Sequence, residues 1–356
     1  MPTTPKKRTL IETINLDQKI ELIKEFHEVR TKDNVSLIMS RKKLPQRKKV
    51  KAPILLIHGF AQNRFTWHLS GRSFENYLVS QSYDVYNLEL RGHGMSRANG
   101  STYPESFEAY LDYDVPAAIA AVKEISGVDK IFLAGHSLGA SISYCIGARQ
   151  PQDILGLISV GGPILFARQL YLMRALASVL KILHDNTLIK KFTIPNFPVD
   201  FIGFIIRKSF FYWDNPYFYF PYRVWYPRTI EREMLEERLF FGFDRTSFEV
   251  AKMFIKWAAT GKYLSSDENV NYSEELKHFR APILFIAGDR DQVVPATSIA
   301  REMELLGSPE KTYRHFGKPR HKIHYGHCDL ICGRHAPEET WPCMLEWLET
   351  QGGYRA

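Results

Sequence analysis

A serine hydroxyl becomes a nucleophile when the backbone presents its oxygen and a neighbour can take its proton. Ser137 stands in Gly135-His136-Ser137-Leu138-Gly139, a G-x-S-x-G pattern. The apolar run Ile131 to Ala134 before it reads as a buried strand. The small and apolar residues from Leu138 to Tyr144, Cys145 and Ile146 read as a buried helix. A strand that turns at once into a helix leaves no room for side chains two residues either side of its tip. It forces the tip into a strained backbone conformation that exposes the hydroxyl. The start of the helix adds free N–H groups where negative charge would form. The plain alternative is a serine in a glycine-rich turn; the strand before it and the helix after it favour the nucleophile.

Such a serine needs a base and an acid. Asp289 and Asp291 follow the strand-like "ILFIAG", and a histidine-rich stretch, "RHKIHYGHCDL", follows "KTYRHF". In an open parallel sheet, reactive groups lie just past the carboxyl ends of the strands. A histidine titrates near neutral pH, so it can accept the serine proton and return it to a leaving group. An aspartate holds the imidazole in the right tautomer. The same stretch holds His321, His324, His327, Cys328, Cys332 and His335, but its spacings fit no paired zinc-ligand pattern, so no metal and no cofactor is expected. Cys328 and Cys332 read as small buried hydrophobes.

These groups need a scaffold. The chain has 356 residues, 45% hydrophobic and 24% charged, enough for a large core or a core with an insertion. "KEFHEVRTKDNVSLIMSRKK" reads as a hairpin about Lys32-Asp33-Asn34. "APILLIHGF", "YDVYNLEL", the serine strand, "ILGLISVGG", "APILFIAG" and "KTYRHFG" read as strands. Helical stretches alternate with the earlier ones, and "APEETWPCMLEWLE" closes the chain. That alternation predicts an α/β fold, a mostly parallel sheet with helices on both faces. It breaks between Pro163 and Arg280, a stretch without clear strands that reads as an inserted helical cap. The core would then comprise residues 1–162 and 281–356, with the cap at 163–280. The cap opens on a helical stripe of Phe166, Leu170, Met173, Ala177 and Leu180. It continues into a run dense in aromatics, including Phe204, Phe210, Phe211, Tyr212, Trp213, Tyr217, Phe218, Tyr219, Phe220, Tyr222 and Trp225. Part of that run is expected to face the cleft above Ser137.

Four cysteines are too few for a disulfide scaffold at this length. The first residues hold no apolar stretch of signal-peptide length, and the one charge-free run of 18 residues, Ile131 to Ala148, is the strand and helix about Ser137, broken by Gly, Ser and His. A cytoplasmic protein without a membrane span is the expectation. The net charge of +8 is densest in "RKKLPQRKKVK", Arg41 to Lys51. This segment reads first as a solvated basic loop and second as a peripheral contact with anionic lipid headgroups. Nucleic acid is not expected, because no aromatics are interleaved with these charges.

At this point the chain resembles the α/β-hydrolase family over nearly all its length outside the cap. "HGF" at His58-Gly59-Phe60 is similar to the family's oxyanion turn, "RGHGMS" and "GHSLG" to two further signatures, and "GDRDQVVP" to its acid motif. "GHCDLICGRHAP" resembles the histidine motif. With "YDVPAAI" it is most similar to the acid-lipase branch and bacterial lipase-like relatives. The resemblance implies a triad of Ser137, Asp291 and His327, with the N–H groups of Phe60 and Leu138 as the oxyanion hole. His315, His321, His324 and His335 would be structural or surface histidines, His58 a turn stabiliser, His136 a packing neighbour, and Arg91 a loop anchor. The implied activity is cleavage of medium- to long-chain acyl esters or acylglycerols through an acyl-serine, on a small-molecule ester or lipid substrate. Serine at the tip argues against a dehalogenase or epoxide hydrolase. An acyltransferase using an alcohol acceptor and a non-catalytic binding module are the alternatives.

Overall fold

The computed structural model describes residues 7–45, 50–166, 178, 196–218 and 223–352. Its strands run β1 (Arg8–Asn15), β2 (Gln18–Arg30), β3 (Ser36–Lys43), β4 (Pro53–Ile57), β5 (Asp84–Glu89), β6 (Ile131–His136), β7 (Ile154–Val160), β8 (Asn196–Phe197), β9 (Thr246–Ser247), β10 (Ile283–Gly288) and β11 (Lys311–Phe316). Nine of them form one sheet in the order β1-β2-β3-β5-β4-β6-β7-β10-β11. The pairs from β5 through β11 are parallel, whereas β1, β2 and β3 form an antiparallel meander joined to β5. Successive side chains of a strand point to opposite faces. Leu55 and Ile57 of β4 therefore join the core on one side, while Ile54 and Leu56 join the core on the other. The first side is covered by the Val115–Ser126 and Leu138–Arg149 helices, the second by the Phe74–Ser80 and Thr340–Thr350 helices. Burial on both faces is why these strands read as continuous apolar runs.

The hairpin about Asp33 is present as β2 and β3, and β1 adds a strand that its mixed polar sequence did not announce. The described ends of the basic segment depart from the expected solvated loop. Arg41, Lys42 and Lys43 end β3, and Lys42 is fully buried. Lys42 pairs with Glu12 at 2.7 Å and Glu75 at 3.2 Å, Arg41 with Asp84 at 2.7 Å, Lys43 with Glu25 at 3.2 Å, and Lys51 with Glu349 at 2.6 Å. Charges paired within the protein have little field left for a lipid surface. Residues 46–49 of the segment lie outside the described residues.

Between β7 and β10 the described chain is mainly helical, with helices at Val199–Lys208, Arg232–Glu237 and Phe248–Thr260. It also holds the short antiparallel pair β8–β9, where no clear strand was expected. Most of the Phe166–Leu180 stripe, with Tyr219, Phe220 and Tyr222, lies outside the described residues. The Phe248–Thr260 helix docks on the first core through Val250, Met253 and Trp257. A separate cluster joins Trp225, Met234, Leu235 and Leu239 to Leu69, Cys328 and Cys332. Both cysteines are buried apolar fillers, as their setting implied.

Candidate active site

Ser137 sits between β6 and the Leu138–Arg149 helix at φ 54° and ψ −118°, a region that side chains rarely adopt. The flanking glycines show why the turn demands them. A Cβ on Gly135 would lie 2.4 Å from the Ala140 nitrogen, and one on Gly139 would lie 2.3 Å from the Ile57 carbonyl oxygen. The G-x-S-x-G spacing is thus a packing requirement of three backbone segments meeting at one point. The strain is held by the Ser137 N–H, which donates to the Val160 carbonyl at 3.0 Å.

Asp291 follows β10 and His327 lies in the loop after β11. His327 Nδ1 is 2.7 Å from Asp291 Oδ2, and both residues are almost wholly buried. A carboxylate accepts, so Nδ1 carries the proton and Nε2 keeps its lone pair. Asp291 Oδ1 accepts from the Val293 and Val294 N–H groups at 2.9 and 2.8 Å, which fixes the carboxylate plane. Asp289 does not reach His327. Its oxygens take His324 Nδ1 at 2.5 Å and the Tyr325 N–H at 2.8 Å, so it holds the histidine loop in place. Ser137 Oγ makes no hydrogen bond to His327 among the described residues. The two are nonetheless brought close. Val160, which binds the Ser137 N–H, precedes Gly161, whose added Cβ would lie 3.0 Å from His327 Nδ1 and 3.3 Å from Asp291 Oδ2. Catalytic hydrogen bonds of this kind are often long without substrate.

His136 and His58 buttress the site from behind. His136 Nε2 is 3.2 Å from the His327 carbonyl oxygen, and the two rings are 4.6 Å apart. A carbonyl can only accept, so Nε2 carries the proton of a neutral ring. Burial first, and then His327 and Arg238, hold that ring well below the ordinary histidine range. The Leu90 N–H donates to His58 Nε2 at 3.2 Å, so His58 Nδ1 donates to the Gly59 carbonyl at 2.9 Å. That carbonyl shares a trans peptide with the Phe60 N–H, so anchoring one end aims the other away from it. Neither the Phe60 N–H nor the Leu138 N–H meets an acceptor among the described residues. Arg91 is a loop anchor, paired with Asp33 at 2.6 Å and Asp114 at 2.7 Å.

Several participants lay below the resolution of motif reading. Gly161, after β7, leaves the space that His327 and Asp291 fill. Asp329, two residues past His327, is fully buried. It accepts from the Tyr226 N–H at 2.7 Å, the Gly326 N–H at 2.5 Å and the Thr229 hydroxyl. The Cys328 N–H donates to the Val224 carbonyl at 2.7 Å. The insertion's 223–229 segment thus straps down the histidine loop. Asp244, from the segment between β7 and β10, donates its N–H to the Ala61 carbonyl and accepts from the Gly94 N–H, bracing the His58–Ala61 turn. The aspartate in "GHCD" was the only sequence signal for any of these. Beside the turn, Phe60, Phe254 and Phe166 form a half-buried aromatic group, with ring centres 5.6 and 5.0 Å apart. Of the aromatic run expected in part at the cleft, Phe204, Phe211, Tyr212, Tyr217 and Phe218 are exposed and Trp225 is buried with Cys328, while Tyr219, Phe220 and Tyr222 lie outside the described residues. No group of residues suited to hold a metal ion occurs among the described residues.

The alpha/beta hydrolase fold family matches residues 52–327. Lipase member K of Mus musculus is 22% identical, over 91% of this chain and 87% of its own length. Gastric triacylglycerol lipase of Rattus norvegicus is 23% identical, over 84% and 80%. Among solved structures, a thermophilic esterase from Thermogutta terrifontis superposes with a TM-score of 0.59 at 16% identity, over 92% of this chain and 99% of that one.

Proposed function

The chain belongs to the alpha/beta hydrolase fold family and is a carboxylic ester hydrolase, and from that premise we propose that it cleaves medium- to long-chain acyl esters or acylglycerols through an acyl-enzyme on Ser137. Ser137 Oγ attacks the ester carbonyl carbon as its proton passes to His327 Nε2, while Asp291 holds the imidazole and stabilises its charge. The oxyanion forms against the Phe60 and Leu138 N–H groups, each worth about 3 kcal/mol in the transition state. Collapse breaks the bond to the alcohol, which takes the proton from His327. Water then gives a proton to His327, attacks the acyl carbon and releases the carboxylic acid, returning the proton to Ser137. The observation that carries this reading is the buried Asp291–His327 pair beside a serine held at positive φ. Residues 163–280 act in it as a cap between the core halves 1–162 and 281–356.

The substrate class rests on the apolar surroundings of the turn. Phe60, Phe166 and Phe254 offer an acyl chain a wall beside the oxyanion hole. Each methylene buried there is worth about 0.8 kcal/mol, close to fourfold in binding. A graded series of nitrophenyl esters tests this together with labelling by a fluorophosphonate. The expected outcome is labelling at Ser137 and a kcat/KM that rises from acetyl to at least octanoyl esters. A steady fall beyond butyryl removes the long-chain reading, and absence of labelling removes the acyl-serine.

A further inference from the structure

The insertion carries an exposed apolar face that neither the core nor the catalytic groups use. In the Val199–Lys208 helix, Gly203 and Ile206 turn inward, while Phe201, Ile202, Phe204 and Ile205 stay exposed. Phe240 and Phe211 add two more exposed rings, Phe211 at 71%. Cations are interleaved with these rings. The Arg207 guanidinium lies 4.8 Å from the Phe240 ring centre, Lys208 Nζ 5.7 Å from that of Phe204, and the Arg232 guanidinium 5.2 Å from that of Phe210. Beside them opens a groove of about 380 Å³, lined by Arg207, Lys208, Arg228 and Arg232 with Phe210 and Phe211. Its one carboxylate, Asp214, already accepts from the Trp225 indole at 3.0 Å and the Arg228 N–H at 2.8 Å. Arg232 pairs with Glu236 at 2.8 Å, whereas among the described residues no carboxylate pairs with Arg207, Lys208 or Arg228.

Rings of this kind lower their free energy at the boundary between water and hydrocarbon, and cations beside them favour phosphate oxygens. A second copy of the chain is a poor occupant, because a two-fold contact centred on the groove would set Arg207, Lys208 and Arg228 against the same three cations of its mate. We propose that this face docks the protein on an anionic phospholipid surface, with the exposed rings at headgroup depth and the groove's cations on the lipid phosphates. The proposal deepens the ester-hydrolase reading by saying where an acyl ester is met, and it rests on that reading for this point alone. It also moves lipid contact away from Arg41 to Lys51, whose described cations are paired within the protein.

The test is co-sedimentation of the full chain with vesicles of phosphatidylcholine alone or with added phosphatidylserine, run beside turnover of a soluble short-chain ester. Binding is expected only with phosphatidylserine present, and to weaken as salt is raised. One basic residue at an anionic surface is worth about fivefold in partitioning, so Arg207→Gln with Lys208→Gln should weaken binding about 25-fold. Phe211→Ser should weaken it about tenfold by removing one inserted ring. Both variants should keep the turnover of the soluble ester, which shows that they fold. The proposal is overturned if the wild type ignores phosphatidylserine vesicles, or if the double variant binds as well as the wild type. It is equally overturned if the face proves to be a dimer contact that these substitutions dissolve in light scattering. Failure of the hydrolase reading shows separately, as absent turnover and absent fluorophosphonate labelling while vesicle binding persists.

Discussion

In the proposed mechanism Ser137, Asp291 and His327 act as a unit, so single removals should be nearly as damaging as joint ones. Ser137→Ala is expected to lower kcat by at least about 10⁴-fold with an unchanged melting temperature. A variant keeping more than a few per cent of turnover would end the assignment. The two neighbouring aspartates separate cleanly. Asp291→Asn removes the acceptor that sets the His327 tautomer and should cost about 10⁴-fold in kcat. Asp289→Asn disturbs only the His324 contact and should cost far less; the reverse ranking would place the acid two residues earlier. His58 offers a subtler test. It touches no substrate but holds the Gly59 carbonyl and so the direction of the Phe60 N–H. His58→Phe should reduce kcat about 10²-fold, on the scale of a weakened oxyanion donor. KM for a small ester should stay nearly constant, whereas a general loss of fold would move both.

At the scale of elements, the serine turn works because β4, β6 and the following helix touch with no space to spare. The insertion adds a second constraint. The Phe248–Thr260 helix brings Phe254 to Phe60, and the 223–229 strap brings two donors to Asp329, the Tyr226 N–H and the Thr229 hydroxyl. Phe254→Ala should leave acetyl-ester turnover within about twofold while reducing the preference for octanoyl over acetyl esters about tenfold or more. An unchanged ratio would mean that the acyl chain lies elsewhere. The described rings of the run from Phe204 to Trp225, some exposed and Trp225 buried, show that composition by itself does not locate a cleft. Aromatic density says that a segment has apolar surface, and only packing says which side of it faces the serine.

For the whole molecule, acid should be the weak direction. His58 and His93 are buried neutral, with burial driving both down to about 3, and burial likewise holds His68 and His136 well below the ordinary range. The unfolded chain binds protons at these four below its ordinary histidine pKa of about 6.5, and the folded chain does not. Stability carried by these groups is therefore present above about pH 6.5 and lost as pH falls, at about 1.4 kcal/mol per pH unit for each. Two buried carboxyls oppose this. Burial raises Asp114 to about 6 and Asp329 to about 7, so the folded chain takes up protons there before the unfolded chain does. Their gain ends once the unfolded carboxyls titrate at about pH 4. Glu12, whose lysine partners outweigh its burial and hold it at about 2, then begins to lose its stabilising pair. The expected melting temperature falls from pH 6.5 towards pH 4 and more steeply below. Thermal melts across that range check the sign, and a flat or rising profile would contradict it.

The serine turn, the parallel strands of the core and its two buried faces were legible in the sequence because each follows from local rules. Side-chain alternation, buried apolar runs and glycines at fixed offsets are set by residues adjacent in the chain. The resemblance singled out Asp291 and His327 among several aspartates and histidines, and residue types alone left those alternatives open. What the tertiary structure decided lies between distant segments. It paired Asp289 with His324, turned Arg41, Lys42 and Lys43 inward onto Glu12, Glu25, Glu75 and Asp84, and tied Asp329 to a strap 100 residues upstream. No local pattern encodes such pairings, because a carboxylate finds its partner only after burial has removed water as the competitor. The same holds for the exposed helix Val199–Lys208. Its apolar residues mark a segment with apolar surface, and only packing decides that Phe201, Ile202, Phe204 and Ile205 are left uncovered.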